Sequence, residues 1–328
     1  MKIIFYSTKP YDRIWFELLG KEYKYEIHFL ETGCTMETIS LSKGYDAICI
    51  FVNDQLDKEM IDYLYQSGMK AILLRSAGFN HVDLKAANGK IPVLRVPNYS
   101  PESVAEHTIA LLLSINRQTH RAYNRTRDFN MNINGLMGKD LINKKAGIIG
   151  TGKIGQATIK ILKGFGMKVM AYDPYPNNQL DVIYTSLDEI FEKADVISLH
   201  CPLTEDTKYV INKAAIERMK KGVFLVNTSR GGLINTSDLI DGLLDGKFGG
   251  VGLDVYEEEE GIFFEDLSNE IVKDQNLVRL ASFPNVLITS HMGFFTKEAM
   301  QAIAIETLEN AYAIENNLQL VNEVKYQS

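Results

Sequence analysis

Cysteine is scarce in this chain. Cys34, Cys49 and Cys201 are the only three in 328 residues, odd in number and widely spaced. That pattern offers no disulfide framework, and reduced thiols in a cytoplasm are expected. No Cys/His group has zinc-finger spacing, so no metal is expected. Basic clusters are missing too. Net charge is −7, with acids and bases interspersed, so neither nucleic acid nor a membrane surface is an expected partner. No apolar run approaches membrane-spanning length. The opening residues, Met1-Lys2-Ile3-Ile4-Phe5-Tyr6-Ser7, read as a strand and turn polar too quickly for a signal peptide. Internal repeats and low-complexity tracts are also absent.

What is present is an ordinary globular composition, 45% apolar, long enough for two domains. The most informative run is Gly150-Thr151-Gly152-Lys153-Ile154-Gly155. It follows the apolar stretch 146–149 and opens a helix-like segment over 153–163. A second apolar run, 169–172, then ends in Asp173. Strand, glycine turn, helix, strand and acid in that order form a dinucleotide site. Gly150 permits the sharp turn, Gly152 lets backbone approach a pyrophosphate, and Gly155 lets the helix pack on the strand. The helix N-terminus offers unpaired N–H groups to phosphate. Asp173, 18 residues after Gly155, can accept from both ribose hydroxyls and would repel a 2′-phosphate. NAD is therefore expected over NADP.

Strand patterns fall at 3–7, 25–30, 47–51, 71–75 and 93–96, with helical patterns between them such as 57–67. A long apolar helix is expected over 102–117, then a polar stretch over 118–134. Beyond the glycine run, strands are expected at 196–200, 224–227, 251–255 and 286–289, and helices at 187–193, 213–219, 237–244 and 296–316. Such alternation gives parallel sheets with helices on both faces. The helices over 102–117 and 296–316 are expected to link two lobes.

In open α/β sheets, ligands bind beyond the carboxyl ends of the strands. Arg230, Glu259 and His291 all follow strands of the second lobe. Arg230 can clamp the carboxylate and carbonyl of a 2-oxo acid with its planar fork. His291 can give its proton to the carbonyl oxygen as hydride arrives. Glu259 can hold His291 and favour its charged form. Position alone leaves plainer readings open. A strand-end histidine is often only hydrogen-bonded, an arginine can pair with a surface acid, and any of Glu257, Glu258, Glu259 or Glu260 can face inward. His107 reads as a packed, satisfied side chain inside the apolar helix.

These motifs, together with His200-Cys201-Pro202-Leu203-Thr204, Val226-Asn227-Thr228-Ser229-Arg230-Gly231, Gly252-Leu253-Asp254-Val255-Tyr256 and the run from Pro284 to His291, resemble the D-2-hydroxyacid dehydrogenase family over essentially the full chain. The resemblance implies two doubly wound parallel-sheet lobes with an active-site cleft between them. One is a flavodoxin-like substrate domain, 1–100 plus 298–328. The other is a Rossmann NAD-binding domain, 101–297. It implies Arg230, Glu259 and His291 as the catalytic trio, and so selects Glu259 from its run. NAD would be held by Gly150, Gly152, Lys153, Ile154, Gly155, Asp173, Thr228 and Asp254, with His200, Cys201 and Pro202 lining the cleft. Backbone at Ala77 and Gly78 would bind the substrate carboxylate.

Within the family, the run from Asp254 to Asp266 and Val96-Pro97-Asn98-Tyr99-Ser100-Pro101 look most like the fermentative bacterial D-lactate dehydrogenases. That closer resemblance implies Tyr99 near the substrate, and Phe51 and Phe294 walling a pocket sized for pyruvate. A dehydrogenase for a bulkier 2-hydroxy acid or hydroxypyruvate is the nearest alternative, and an NAD-sensing binding protein on the same fold a remoter one. The family also implies a homodimer or homotetramer, closure over the substrate, and a small 2-oxo or 2-hydroxy acid as the partner.

Overall fold

The computed structural model describes residues 1–326. Two compact units are present: Met1–Ser100 with the segment from Phe295 onward, and Pro101–Phe294. The first unit contains β1 (Lys2–Phe5), α1 (Pro10–Glu22), β2 (Glu26–Phe29), β3 (Ala47–Ile50), α2 (Lys58–Gln66), β4 (Ala71–Leu74), α3 (Leu84–Ala87) and β5 (Val93–Leu94). The second contains α4 (Pro101–Arg117), α5 (Thr119–Arg127), β6 (Lys145–Ile149), α6 (Lys153–Gly164), β7 (Lys168–Tyr172), β8 (Ile183–Tyr184), α7 (Leu187–Lys193), β9 (Val196–Leu199), α8 (Lys213–Arg218), β10 (Val223–Asn227), α9 (Thr236–Leu244), β11 (Phe248–Leu253), α10 (Gln275–Ser282) and β12 (Val286–Ile288). The last helix, α11 (Lys297–Glu315), packs on α1 and β4 of the first unit.

Both sheets are parallel throughout, as the strand sequences require. The strands β3 (Ala-Ile-Cys-Ile), β4 (Ala-Ile-Leu-Leu) and β9 (Val-Ile-Ser-Leu) are buried at every position, the signature of strands covered on both faces. The first sheet has the order β2-β1-β3-β4-β5, the flavodoxin-like arrangement. The second runs β12-β11-β10-β9-β6-β7-β8, a Rossmann sheet whose strand order reverses between β6 and β9.

Two helices go beyond the sequence reading. The polar stretch after α4 contains α5, which buries no residue, so no apolar periodicity could mark it. The helix α10 buries only Leu280 and is started by Asp274, whose side chain accepts from Asn276 and Leu277 N–H at 2.9 and 3.0 Å. Helix α4 packs against α6, β10 and β11 with nine buried residues.

Side chains cap the N-termini of α2, α3, α7, α8, α9, α10 and α11: Asp57, Asp83, Ser186, Asn212, Asn235, Asp274 and Thr296 each accept from a first-turn N–H. Helix α6 begins instead on Gly152, with no side-chain cap. Close packing holds its strand in place. A β-carbon on Gly147 of β6 would sit 2.4 Å from Ile190 Cγ2 and 3.2 Å from Ala194 Cβ. Gly147→Val should therefore destabilise the protein by about 1–3 kcal/mol through overpacking, read as a lower urea midpoint. An unchanged midpoint would show that α7 can yield.

Candidate active site

The glycine loop sits at the switch between β6 and β9. Gly150 has φ +95°, open to glycine at little cost. Its β-carbon would lie 2.5 Å from Cys201 N and 2.6 Å from His200 C, so the loop rests on the chain leaving β9. A β-carbon on Gly155 would lie 2.2 Å from the Gly150 carbonyl oxygen. Around Gly152 the space is open. The bare first turn, carrying Lys153 and Ile154, thus presents N–H donors and the positive end of the helix dipole to open space, which fits a pyrophosphate.

Asp173 follows β7 and ties the loop to it. Its Oδ2 accepts from Thr151 N (2.7 Å) and Thr151 Oγ1 (2.9 Å), and its Oδ1 accepts from Tyr175 N (2.9 Å). The Tyr184 hydroxyl donates to Thr151 Oγ1 at 3.0 Å. Asp173 therefore has a structural duty besides any ribose contact. At the end of β9, His200 Nε2 meets Ser198 Oγ at 2.9 Å, while its buried Nδ1 has no hydrogen-bond partner among the described residues. Burial pushes the His200 pKa down to about 4 and the Cys201 thiol up to about 11. The histidine is thus neutral and the thiol protonated near pH 7. Pro202 is exposed beside them.

Beyond β10, Asn227 shapes the Arg230 turn. Its Oδ1 accepts from Ser229 N (3.0 Å) and its Nδ2 donates to the Arg230 carbonyl (2.9 Å). Arg230 Nη1 donates to the Ser229 carbonyl at 2.7 Å. The next residue is Gly231, whose β-carbon would fall 2.0 Å from the Tyr256 carbonyl carbon and oxygen. The arginine loop thus lies directly against the segment leading to the glutamates. Among these, Glu257 accepts from the Tyr209 hydroxyl and from Thr236 N (3.1 Å), and Glu258 and Glu260 are exposed. Glu259 turns inward: Oε2 accepts from Tyr256 N at 3.0 Å, and Oε1 accepts from His291 Nδ1 at 2.9 Å. With Nδ1 donating, the neutral ring has Nε2 as its acceptor, and the charged ring has Nε2–H as a second donor.

His291 sits at φ +52°, a left-handed conformation that costs an L-residue about 1–3 kcal/mol when its surroundings impose it. The constraint is Asp254, 1% exposed. The Asp254 carbonyl accepts from His291 N at 2.7 Å. Its carboxylate accepts from Met292 N (2.9 Å), Gly293 N (2.7 Å), Thr289 Oγ1 (2.6 Å) and His107 Nε2 (3.1 Å). Burial drives the Asp254 pKa up, but hydrogen bonds from His107 and Thr289 outweigh it and the net shift is downward. A β-carbon on Gly293 would come within 2.9 Å of Asp254 Oδ2. Thr228, also buried, meets Thr108 Oγ1 of α4 at 2.7 Å. In the sequence, Gly231, Gly293 and Thr289 stand in the motifs around Arg230 and His291 with no role of their own, and Thr108 lies outside any motif. Glycines beside a strand-end arginine and histidine were the one available signal.

The remaining candidates lie in the first unit, apart from Phe294, which follows Gly293. The Ala77 carbonyl accepts from Arg95 Nη1 (3.0 Å) and the Gly78 carbonyl from Ser76 Oγ (2.8 Å). Those bonds occupy the loop's carbonyls. Phe51 is buried beneath the Arg75 guanidinium, 4.8 Å from its ring centroid. Tyr99 is half-buried. Among the described residues, no group of three or more His, Cys, Asp or Glu could hold a metal ion.

Residues 109–293 match the family model described as D-isomer specific 2-hydroxyacid dehydrogenase, NAD binding domain. The chain is 46% identical to the D-lactate dehydrogenase of Escherichia coli (strain K12), over 99% of this chain and 100% of that one. The solved structure of the pyruvate reductase of Chlamydomonas reinhardtii superimposes with a TM-score of 0.93 at 42% identity, covering 98% of each chain. That of a D-2-hydroxyisocaproate dehydrogenase gives 0.89 at 30% identity, over 99% and 100%. NAD is the cofactor, and the glycine loop, bare helix turn and Asp173 fit it. Gly155→Ala should weaken NADH binding by roughly tenfold to a hundredfold, equivalent to about 1–3 kcal/mol of overpacking strain. Fluorescence titration measures this, and an unchanged affinity would show that the loop tolerates a methyl group.

Proposed function

The chain belongs to the D-isomer specific 2-hydroxyacid dehydrogenase family, and from that premise we propose that it is an NAD-dependent D-lactate dehydrogenase, interconverting pyruvate and D-lactate. The observation that carries the reading is the 2.9 Å contact between His291 Nδ1 and Glu259 Oε1, in the unit that holds the glycine loop. NADH, when bound, supplies the hydride. His291 holds a proton on Nε2 and passes it to the carbonyl oxygen of the 2-oxo acid, taking it back in the oxidation direction. Glu259 accepts from Nδ1 and orients the ring. Arg230 clamps the substrate carboxylate and polarises the carbonyl.

Cofactor contacts are assigned to Gly150, Gly152, Lys153, Ile154, Gly155, Asp173, Thr228 and Asp254, with His200, Cys201 and Pro202 nearby. The N–H groups at Ala77 and Gly78 are assigned to the substrate carboxylate. Phe51, Tyr99 and Phe294 are assigned to selection of a methyl-bearing acid. The higher identity to the D-lactate dehydrogenase and the pyruvate reductase than to the D-2-hydroxyisocaproate dehydrogenase supports the small substrate. A cytoplasmic setting fits the three buried free thiols.

A homo-oligomer is part of the same reading. After α5, Phe129 and Met137 are 88% and 92% exposed, and Met131 and Ile133 between them are exposed as well. A run of exposed large apolar residues suits a protein contact, and we assign it to a second copy of this chain. Helix α4, spent on interior packing, is the weaker candidate. Phe129→Ser with Ile133→Ser should shift the light-scattering mass toward the monomer. A parent chain that is already monomeric would overturn the assignment.

The reaction is tested by following NADH oxidation with a panel of 2-oxo acids. Pyruvate should turn over fastest. Faster turnover of 2-oxoisocaproate or hydroxypyruvate would move the protein to a sibling activity, and no turnover at all would sink the enzyme reading. His291→Ala should lower kcat by about 10²–10⁴-fold while NADH binding stays near the parent value. Unchanged turnover would remove His291 from its role.

A further inference from the structure

We propose that His107 is a positioning residue for His291, acting through Asp254; the inference rests on the role given to His291 above. His107 lies midway along α4, and its Nε2 is 3.1 Å from Asp254 Oδ1 and 3.0 Å from Thr289 Oγ1. The protonation pattern follows from the partners. An ionised carboxylate only accepts, and the Thr289 hydroxyl is committed to Asp254 Oδ1 at 2.6 Å. The hydrogen on Nε2 therefore belongs to His107, shared between the two oxygens.

His107 and Thr289 both donate to this carboxylate from their side chains. Further donors are the N–H groups of Met292 and Gly293, the two residues after His291. His291 N itself donates to the Asp254 carbonyl. Every backbone N–H from His291 to Gly293 is thus bonded to one residue, and His107 holds that residue at the same carboxylate oxygen that Met292 N meets. The ring also has a steric part: a β-carbon on Gly293 would be 3.5 Å from His107 Cδ2. A left-handed histidine persists only where its surroundings over-determine it. Removing one side-chain donor leaves a buried carboxylate under-bonded. Asp254 would then shift toward its remaining donors and take the His291–Gly293 turn with it.

His107 has a neighbour with a separate task. Thr108 reaches Thr228 at the end of β10, while His107 reaches the ends of β11 and β12. Adjacent residues of one helix therefore brace the proposed cofactor strand and the His291 turn separately. Loss of His107 should harm proton transfer more than dinucleotide binding, since Thr228 keeps its brace on α4 while Asp254 loses a donor.

The test compares full-length parent, His107→Leu and His107→Gln. Glutamine can present an amide N–H at a reach similar to that of Nε2. His107→Leu should lower kcat with pyruvate on the order of tenfold or more, weaken NADH binding by a smaller factor than it lowers kcat, and raise the primary isotope effect with deuterated NADH as chemistry becomes more rate-limiting. His107→Gln should recover most of the loss. If leucine lowers only the melting temperature, with kcat and isotope effect unchanged, His107 is a packing residue and the proposal fails. If the leucine variant does not fold, His107→Gln against His107→Asn decides: the shorter amide cannot reach Asp254, and equal kcat values overturn the proposal. A crystal structure of the leucine or asparagine variant reports independently of substrate. A displaced His291–Gly293 turn supports the proposal even if the parent proves inactive on pyruvate, whereas an undisturbed turn refutes it.

Discussion

A buried carboxylate organises the second unit. Asp254 stands at the end of β11, where desolvation alone would make its charge costly. At least four donors offset that cost, and the balance leaves its pKa below the ordinary carboxylate value. Because a buried charge must keep its partners, each donor is held in place in return. Two are the backbone N–H groups of Met292 and Gly293, which curl the chain and fix His291 in a conformation that its own backbone disfavours. The third is Thr289, at the end of β12. The fourth, His107, comes from a helix far away in sequence.

The first unit uses the same device. Asp54, also about 1% exposed, follows β3 and accepts from Ser7 Oγ (2.7 Å), Cys34 N (2.8 Å) and Phe51 N (2.8 Å). Ser7, like His291, is held at positive φ. In each unit a buried aspartate gathers loops at the carboxyl ends of parallel strands. Ligands bind there in sheets of this type, so polar groups must be packed densely in those places and still be hydrogen-bonded. The neighbouring glycines follow from the same crowding. Gly231, Gly155 and Gly293 each lie where a β-carbon would collide with backbone or carboxylate.

Much of this is legible in the sequence. Strands such as β3, β4 and β9 are apolar at nearly every position, which identifies parallel sheets. The order of the Gly150–Gly155 loop, helix and Asp173 identifies a nucleotide-binding unit. Arg230 and His291 could be picked out as polar residues just past strands. Helix α5 was not legible, because it is polar throughout and buries no residue; helix α10 does carry an apolar stripe, Leu277 with Leu280, but over only eight residues. Nor could spacing separate Glu257 from Glu259. The fold sends the first to Tyr209 and Thr236 and the second to His291.

The chain's own order therefore determined the two parallel α/β units, the glycine loop and the set of polar residues at strand ends. These depend on local periodicity, turn chemistry and burial, which act over a few residues. Tertiary structure brings Glu259, the glutamate that the family resemblance implies, onto His291, and it alone decided that His107 bonds to Asp254 and that His291 occupies the left-handed region. Those outcomes depend on hydrogen bonds between residues 32 to 147 positions apart. Direction and distance across the sheet set such bonds, and neither is encoded in any local pattern.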